Sequence, residues 1–468
     1  MKLYRNAIIL VIIVALLGGA YFLINRNKAA DDGTIDETTD TIRLTDYTSD
    51  QIESLTMQNP EGTFVIVKKD TDWVLSSPTD INADSSVLSS IVINAASVIA
   101  DKLVEENAQD LSIYGLDKPS LVKLKVKDNK EITLEIGDIT PTKGGYYVKV
   151  SGESKVYVVG SYTADKLVTK RNDMRIRTLF NITPDVITQL NMDRKGQNLF
   201  SSTLNADSNW TMTQPIKGSV NSTALSPMLE ALATATVSEF VEDKPTDLSK
   251  YGLDKPSYVF DFDTTTGGAF KLLLGSEKTK GSEFYAKLDG KDEVFAINST
   301  AFTFLDKPLK EIVEVFAYIV NIDQVTKIDL TMEGKTTNMT LDVFKDAEGK
   351  SDNDKDKFTL DGKDASGKDA DDKQPFRTFY QSLIGISLDE IDVTGTPSGT
   401  GTPDITINYT LKSGTMKVEY ISKDANYYYA VRNGEYAGIL VKKNKQDYGV
   451  LGMKESYKTM TDFLATQK

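Results

Sequence analysis

Three aspartates at alternate positions, Asp352, Asp354 and Asp356, are spaced like the leading carboxylates of a calcium-binding loop. The rest of such a loop is missing. Lys357 stands where the sharp turn needs glycine, and Lys363 where a bidentate glutamate would close the site. The stretch 346–373, dense in Asp, Lys and Gly, therefore reads as a solvated acidic insertion with Phe358 and Leu360 as the buried strand inside it, and no metal site is expected. Aromatic groups are the second candidate. Tyr146-Tyr147, Phe284-Tyr285 and Tyr427-Tyr428-Tyr429 occupy equivalent strands, whose neighbouring residues face opposite ways, so one tyrosine of each group is free to meet sugar or peptide. Strands also favour tyrosine for packing alone.

What is absent narrows the chemistry further. The chain of 468 residues contains no histidine and no cysteine. That removes imidazole acid–base catalysis, thiolate nucleophiles, Ser-His-Asp triads, Cys/His zinc sites and disulfides. No Ser-x-x-Lys context stands out. Gly144-Gly145 and Gly267-Gly268 lie between strands and read as hairpin turns, so neither is a phosphate loop. Lys plus Arg 54 against Asp plus Glu 68 gives a net charge of −14, the wrong sign for binding a phosphate backbone, so nucleic acid is not an expected partner. No catalytic residue and no cofactor is assigned.

The elements that would carry any site are set by duplication. Asp110 to Ser120 reads Asp-Leu-Ser-Ile-Tyr-Gly-Leu-Asp-Lys-Pro-Ser, and the same phrase returns at Asp247 to Ser257, 137 positions later, with Lys250 in place of Ile113. A period this long marks whole domains, since solenoid repeats run to only about 50 residues. Trp73 and Pro78 recur as Trp210 and Pro215, and Ile52 to Met57 is echoed by Ile187 to Met192. A third copy is marked by Val325 to Leu330, by Phe358-Thr359-Leu360 in the place of Trp73-Val74-Leu75, and by Tyr428 to Val431. It lacks the phrase; a loop, Thr394 to Thr402, stands there before Pro403.

Each copy owns one amphipathic helix, with apolar residues at i, i+3, i+4 and i+7: Leu88, Ile91, Val92 and Ala95; Leu225, Met228, Leu229 and Leu232; Phe376, Phe379, Tyr380 and Leu383. Short runs such as Phe64 to Lys68, Glu131 to Ile136, Tyr146 to Val150 and Lys155 to Val159, separated by Asp-Asn, Gly-Gly and Ser-Gly turns, read as antiparallel strands. The fold class is α+β, with three tandem homologous units of antiparallel sheet plus one helix following an N-terminal transmembrane helix. Repeat units are placed at 45–184, 185–321 and 322–468, after an anchor at 1–25 and a polar linker at 26–44. One conflict is visible: core positions after the proline fall at Tyr258, Phe260, Phe262 and at Ile405, Ile407, Tyr409, but at Val122, Leu124, Val126 in the first copy. A slip of one residue turns a strand over, so a bulge or a misalignment is expected there.

The phrase itself has a local structural reading. Asp110 and Asp247 cap a helical turn, Gly115 and Gly252 end it in the left-handed conformation, Leu116 and Leu253 pack back on it, and Pro119 and Pro256 force the preceding residue into extended backbone. Tyr114 and Tyr251 are expected to bury their rings with the hydroxyl bonded to backbone.

The N-terminus supplies the location. Ala7 to Ile24 is a run of 18 uncharged, mostly aliphatic residues, about 27 Å long as a helix and close to a bilayer core in length. Lys and Arg are nearly balanced around it, and the tail before it is too short for a domain, so the expected topology is N-terminus inside and the bulk of the chain outside. A cleaved signal peptide ending near Gly18-Gly19-Ala20 is the alternative, but Tyr21 to Ile24 carry the apolar run past that point.

An N-terminal anchor, the repeated phrase, Leu134-Glu135-Ile136-Gly137-Asp138, Gly145 to Val150 and Lys155 to Val159 together resemble the bacterial domain-of-unknown-function family 4340. The resemblance is specific in the first copy; the second keeps the Tyr-Gly-Leu-Asp-Lys-Pro phrase and Leu274-Gly275, and the third departs further. Members tend to be encoded beside ABC transporters of the gliding-motility type, so the resemblance implies an accessory protein of such a transporter in the cell envelope, and it brings no catalytic residues. The expected function is thus a single-pass, extracytoplasmic binding protein whose partners are the membrane and ABC transporter subunits. The competing expectations are an envelope glycan-binding or carboxylate-dependent glycan-acting enzyme, which requires two facing carboxylates about 5 to 10 Å apart in an aromatic cleft, and a structural spacer.

Overall fold

The computed structural model describes residues 41–266, 268–395 and 402–467. The apolar run Ala7 to Ile24, linker residues 26–40, Gly267 and loop residues 396–401 lie outside the described residues. Among the described residues no helix is long and apolar enough to cross a membrane. Two compact units divide after Ile176. The first is already under way at Ile42–Arg43, which pairs antiparallel with Ile99–Ala100 beside a buried Leu44.

The first unit holds one eight-stranded sheet, built from two meanders that meet in its middle. Ile52–Asn59, Gly62–Lys69 and Asp72–Ser77 run outward to one edge; Ser120–Val126, Lys130–Ile139, Gly145–Val150 and Val156–Gly160 run outward to the other, where Lys102–Glu105 forms the last strand. Ile52–Asn59 pairs with Ser120–Val126 at the join, antiparallel like the strands on either side. The chain gets from one edge to the other by laying helix Ser85–Ala96 over the sheet, and Leu88, Ile91, Val92 and Ala95 on its apolar stripe are fully buried there. Asp84 starts the helix by accepting the Ser86 N–H at 2.8 Å. Alternation along the strands does the rest: Leu55 and Met57, Phe64 and Ile66, Val122 and Leu124, Leu134 and Ile136 all point into the same core.

The second unit holds two nine-stranded sheets that share one continuous hydrophobic core. In the first of them Ile187–Arg194 and Tyr258–Thr264 form the central pair, with Val237–Glu242 at the far edge and helix Ser222–Ala233 as the crossover. In the other the central pair is Val325–Met332 and Ile405–Leu411, the far edge is Glu390–Ile391, and the crossover helix is Pro375–Ile384. Apart from one additional edge strand in each nine-stranded sheet, the strand order is the same in all three. So is an irregularity at the start of the central strand, where the register shifts between Ile52 and Ser54, Ile187 and Gln189, and Val325 and Lys327. The described residues are α+β: mostly antiparallel sheets, with one crossover helix for each of the three large ones.

The expected slip is resolved without a bulge in the strand. Met57 faces Val122 in the first sheet, Met192 faces Phe260 in the second and Leu330 faces Ile407 in the third, so the core-facing residues correspond. The first sheet's strand starts at Ser120, directly after Pro119, whereas the second starts at Tyr258, with Ser257 between it and Pro256. One residue more in the connector, held by a hydrogen bond from the Lys195 N–H to the Ser257 carbonyl at 2.8 Å, absorbs the difference. Gly144-Gly145 is also corrected in part: Gly145 is a strand residue paired with Gly160, and a Cβ on it would lie 2.5 Å from the Val159 carbonyl oxygen.

Candidate functional site

Both copies of the phrase fold identically. Leu111–Tyr114 and Leu248–Tyr251 are single 3-10 turns. Asp110 accepts the Ser112 N–H at 3.0 Å and the Ser112 hydroxyl at 2.6 Å; Asp247 does the same for Ser249 at 2.9 and 2.6 Å. These bonds, the serine hydroxyl first, hold both carboxyls below the usual aspartate range. Gly115 at φ 65° and Gly252 at φ 66° end the turns in the left-handed region, and the Leu116 and Leu253 N–H groups close back on Leu111 and Leu248 at 3.0 Å. Leu116 and Leu253 are buried; Pro119 immediately precedes the return to the sheet, and Pro256 precedes it by one further residue, Ser257.

The turn rests on the glycine of Leu134-Glu135-Ile136-Gly137-Asp138 in the first copy and of Leu274-Gly275 in the second. A Cβ on Gly137 would lie 2.1 Å from the Tyr114 carbonyl oxygen, and one on Gly275 2.1 Å from that of Tyr251. Glycine is required at both because the phrase backbone lies directly against the strand. Leu116 and Leu253 belong to neither main core. Nor do Val156 and Val158, or Val294 and Ala296, which are buried all the same. By strand alternation these residues point away from the helix-covered face.

The two phrase tyrosines differ from expectation. Tyr114 donates its hydroxyl to Glu105 Oε2 at 2.7 Å, and Tyr251 donates to Glu242 Oε2, so the partner is a carboxylate of the far-edge strand and not the backbone. The rings pack on strand tyrosines, Tyr114 on Tyr147 at 4.9 Å between centroids and Tyr251 on Tyr285 at 5.0 Å. The glutamate bond, with a smaller contribution from burial, pushes Tyr114 up and Tyr251 up to about 12. A phenol so held donates to the glutamate carboxylate of the edge strand. Tyr146, the neighbour of Tyr147, donates to Asp165 at 2.9 Å, and Phe284 is buried. In the third sheet, Lys443 lies over the ring of Tyr428, and Lys423 and Tyr436 cover Tyr429. The strand tyrosines expected to stand exposed are partly buried instead, at Tyr146, Tyr147, Tyr285, Tyr427 and Tyr429, or buried, at Tyr428.

The aspartates of the insertion do not converge. Asp352 caps a 3-10 turn, Asn353–Lys355, through the Asp354 N–H, while Asp356 is turned inward at 3% exposure, where it accepts the Phe344 N–H at 2.9 Å and two N–H groups of Arg377. Among the described residues no group of three or more acidic side chains is placed to hold a metal ion. Phe358 is fully buried in strand Lys357–Leu360 and stacks on Phe376 of the crossover helix, 4.4 Å between centroids.

One cluster was missed from the sequence. Arg432 ends strand Tyr427–Arg432 opposite Val418, on the same parity as Tyr428 and Ala430, and so on the core face. Its Nε is inaccessible and without a hydrogen bond. Arg432 interacts electrostatically with the buried Tyr420 and with Tyr318, and Tyr318 packs on the buried Tyr409 at 5.2 Å. A Cβ on Gly218, at the edge of the neighbouring sheet, would lie 3.6 Å from Arg432 Nη2. Burial draws the guanidinium down and pushes the three phenols up. The signal was there to read: an arginine two positions beyond Ala430 in a strand whose alternate residues face the core.

No curated protein and no solved structure matches the chain. The model of the domain of unknown function DUF4340 matches twice, at residues 73–217 and 210–392. Each match takes in one phrase turn, its glutamate latch and the glycine beneath it, and together they span well over half of the sequence: the chain belongs to the DUF4340 family, with two repeats of its domain in tandem.

Proposed function

We propose that this protein is an extracytoplasmic binding protein of the bacterial envelope, held to the membrane by Ala7 to Ile24 and associated with the subunits of an ABC transporter. In this reading the sheet of Val325–Met332 and Ile405–Leu411 is a third, divergent copy of the domain, since it repeats the strand order and the register shift of the other two. The observation that carries the reading is the doubled latch. Two turns, each pinned to its sheet by a cap, a glycine contact and a Tyr–Glu bond, present the same surface twice. Repeated, pre-ordered surfaces suit recognition, because little side-chain entropy is lost on binding.

The test is crosslinking in intact cells, followed by detergent extraction and mass spectrometry of the tagged full-length chain. Recovery of an ABC permease or ATPase supports the accessory role. Recovery of the protein alone, or of glycan, overturns it in favour of a spacer or a wall-binding protein.

A further inference from the structure

Thr337 stands at a position that phenylalanine fills in the other two large sheets. Phe64 faces Met57, Phe200 faces Met192 and Thr337 faces Leu330, corresponding pairs on the core face of the central hairpin. Phe64 and Phe200 are fully buried in their cores. In the third sheet the smaller side chain is equally sheltered, at 2% exposure, and it lines a cleft of about 640 Å³ between the hairpin of Val325–Met332 and Lys335–Asp342 and the C-terminal helix Val450–Thr466.

The end of this hairpin is also closed differently. In the first sheet Asn59 donates to the Thr169 carbonyl at 3.1 Å and Glu61 accepts the Arg171 N–H at 2.7 Å; in the second Arg194 donates to the Lys307 carbonyl at 2.8 Å. Backbone that follows the last long strand thus ties down both. In the third sheet that stretch of chain is a helix, whose Lys454, Tyr457 and Lys458, at i, i+3 and i+4, line the cleft opposite Leu330, Met332 and Lys335. Leu330, Met332 and the Tyr457 ring, which packs on Phe379 at 5.5 Å, make an apolar floor. Most charges on the rim are spent: Lys454 pairs with Glu333 at 3.4 Å, Lys458 with Asp462 at 3.2 Å, and Glu455 accepts the Gln446 amide. Lys335 is left without a carboxylate partner among the described residues. Below it, the Thr337 and Tyr457 hydroxyls lie 2.7 Å apart. Two hydroxyls carry two hydrogens, their mutual bond uses one, and neither makes another bond among the described residues, so one donor in the cleft is unspent. Buried donors are ordinarily paired.

We propose that this cleft binds an amphiphilic monoanion, with an apolar body laid on Leu330, Met332 and the Tyr457 ring and a carboxylate or phosphoryl head held by the Thr337–Tyr457 hydroxyl pair and the Lys335 ammonium. The volume falls within the range of roughly 300–1,000 Å³ usual for small-molecule sites. The inference stands independently of the transporter reading, because it concerns a cleft inside one folded unit and not a partner surface.

The full-length chain in detergent is titrated calorimetrically with hexanoate, hexyl phosphate, acetate and hexylamine, each corrected by titration into protein-free micelles. Saturable binding is expected for hexanoate or hexyl phosphate, at least about tenfold weaker for acetate, which lacks the apolar body, and absent for hexylamine, whose head has the wrong charge. The tighter of the first two identifies the head group, and either supports the site. Thr337→Phe, which restores the residue of the other two sheets, is expected to fill the cleft and abolish binding. Thr337→Val should weaken it about tenfold by removing half of the hydroxyl pair, and Lys335→Gln about two- to fivefold, a loss that shrinks in high salt. Absence of saturation with both anions, equal binding of hexanoate and either acetate or hexylamine, or an unchanged titration in Thr337→Phe overturns the site. Where Thr337→Phe does not fold, Thr337→Val and Lys335→Gln decide in the same way, and unchanged affinity in both overturns it.

Discussion

At the scale of single residues, the phrase shows how far local chemistry can be read. The cap at Asp110, the left-handed Gly115 and the returning Leu116 all act within one turn, so their roles follow from residue type and spacing. The Tyr–Glu bond was illegible because nothing in a spacing of nine residues aims a hydroxyl at a carboxylate across a sheet edge. Two predictions belong here. Gly275→Ala puts a Cβ 2.1 Å from the Tyr251 carbonyl oxygen, so the phrase must lift from its strand, and a loss of about 1–3 kcal/mol is expected from urea unfolding, with Ser276→Ala as a milder control. Tyr251→Phe removes one charge-assisted hydrogen bond and should cost about 1–2 kcal/mol by the same measurement. Its pH dependence has a defined sign. Tyr251 in the fold titrates at about 12, above the ordinary value of 10.0, so the bond's contribution is whole below pH 10 and is lost as pH rises towards 12. Unfolding midpoints of wild type and Tyr251→Phe should therefore converge over that interval; a constant separation across it would show that the fold does not raise the pKa of this hydroxyl.

At the scale of elements, the three crossover helices were legible because an apolar stripe of period 3.6 survives whatever the helix packs against. The strand faces were legible by alternation, and the one apparent conflict came from aligning on Pro119 and Pro256 when the strand positions that matter are set by pairing with Met57 and Met192. The acidic insertion was legible only in outline. Composition marked it as solvated, and most of it is, yet Asp356 goes inward to Arg377 and ties the insertion to helix Pro375–Ile384. Removing one partner of a buried ion pair strands the other, so Asp356→Ala is expected to destabilise the second unit by roughly 3–5 kcal/mol, while Asp354→Ala, an exposed partner of Lys368, should cost less than about 1 kcal/mol. Thermal unfolding of the two variants tests this, and equal shifts would contradict it. Calcium should leave both midpoints unchanged.

At the scale of the whole molecule, the duplication predicts repeating units, but which sheets share a core depends on contacts between distant segments that no periodicity records. The first sheet closes its own core; the other two share theirs, with Gly438 of one seated against Ile216 of the other. Calorimetry should accordingly show two transitions, and limited proteolysis should cut near Ile176 before it cuts near Asn321, releasing a fragment from the first unit that unfolds cooperatively by itself. A single transition, or earlier cleavage near Asn321, would contradict this division. The matched geometry of the two phrase turns bears on inheritance as well as on folding. Because the two turns are built alike from their capping aspartates to their left-handed glycines, joining Gln109 to Asp247 excises 137 residues and hands the first repeat a turn that carries its own connector, so unequal exchange between the two repeats offers this lineage a route to shorter and longer members without the invention of a new turn.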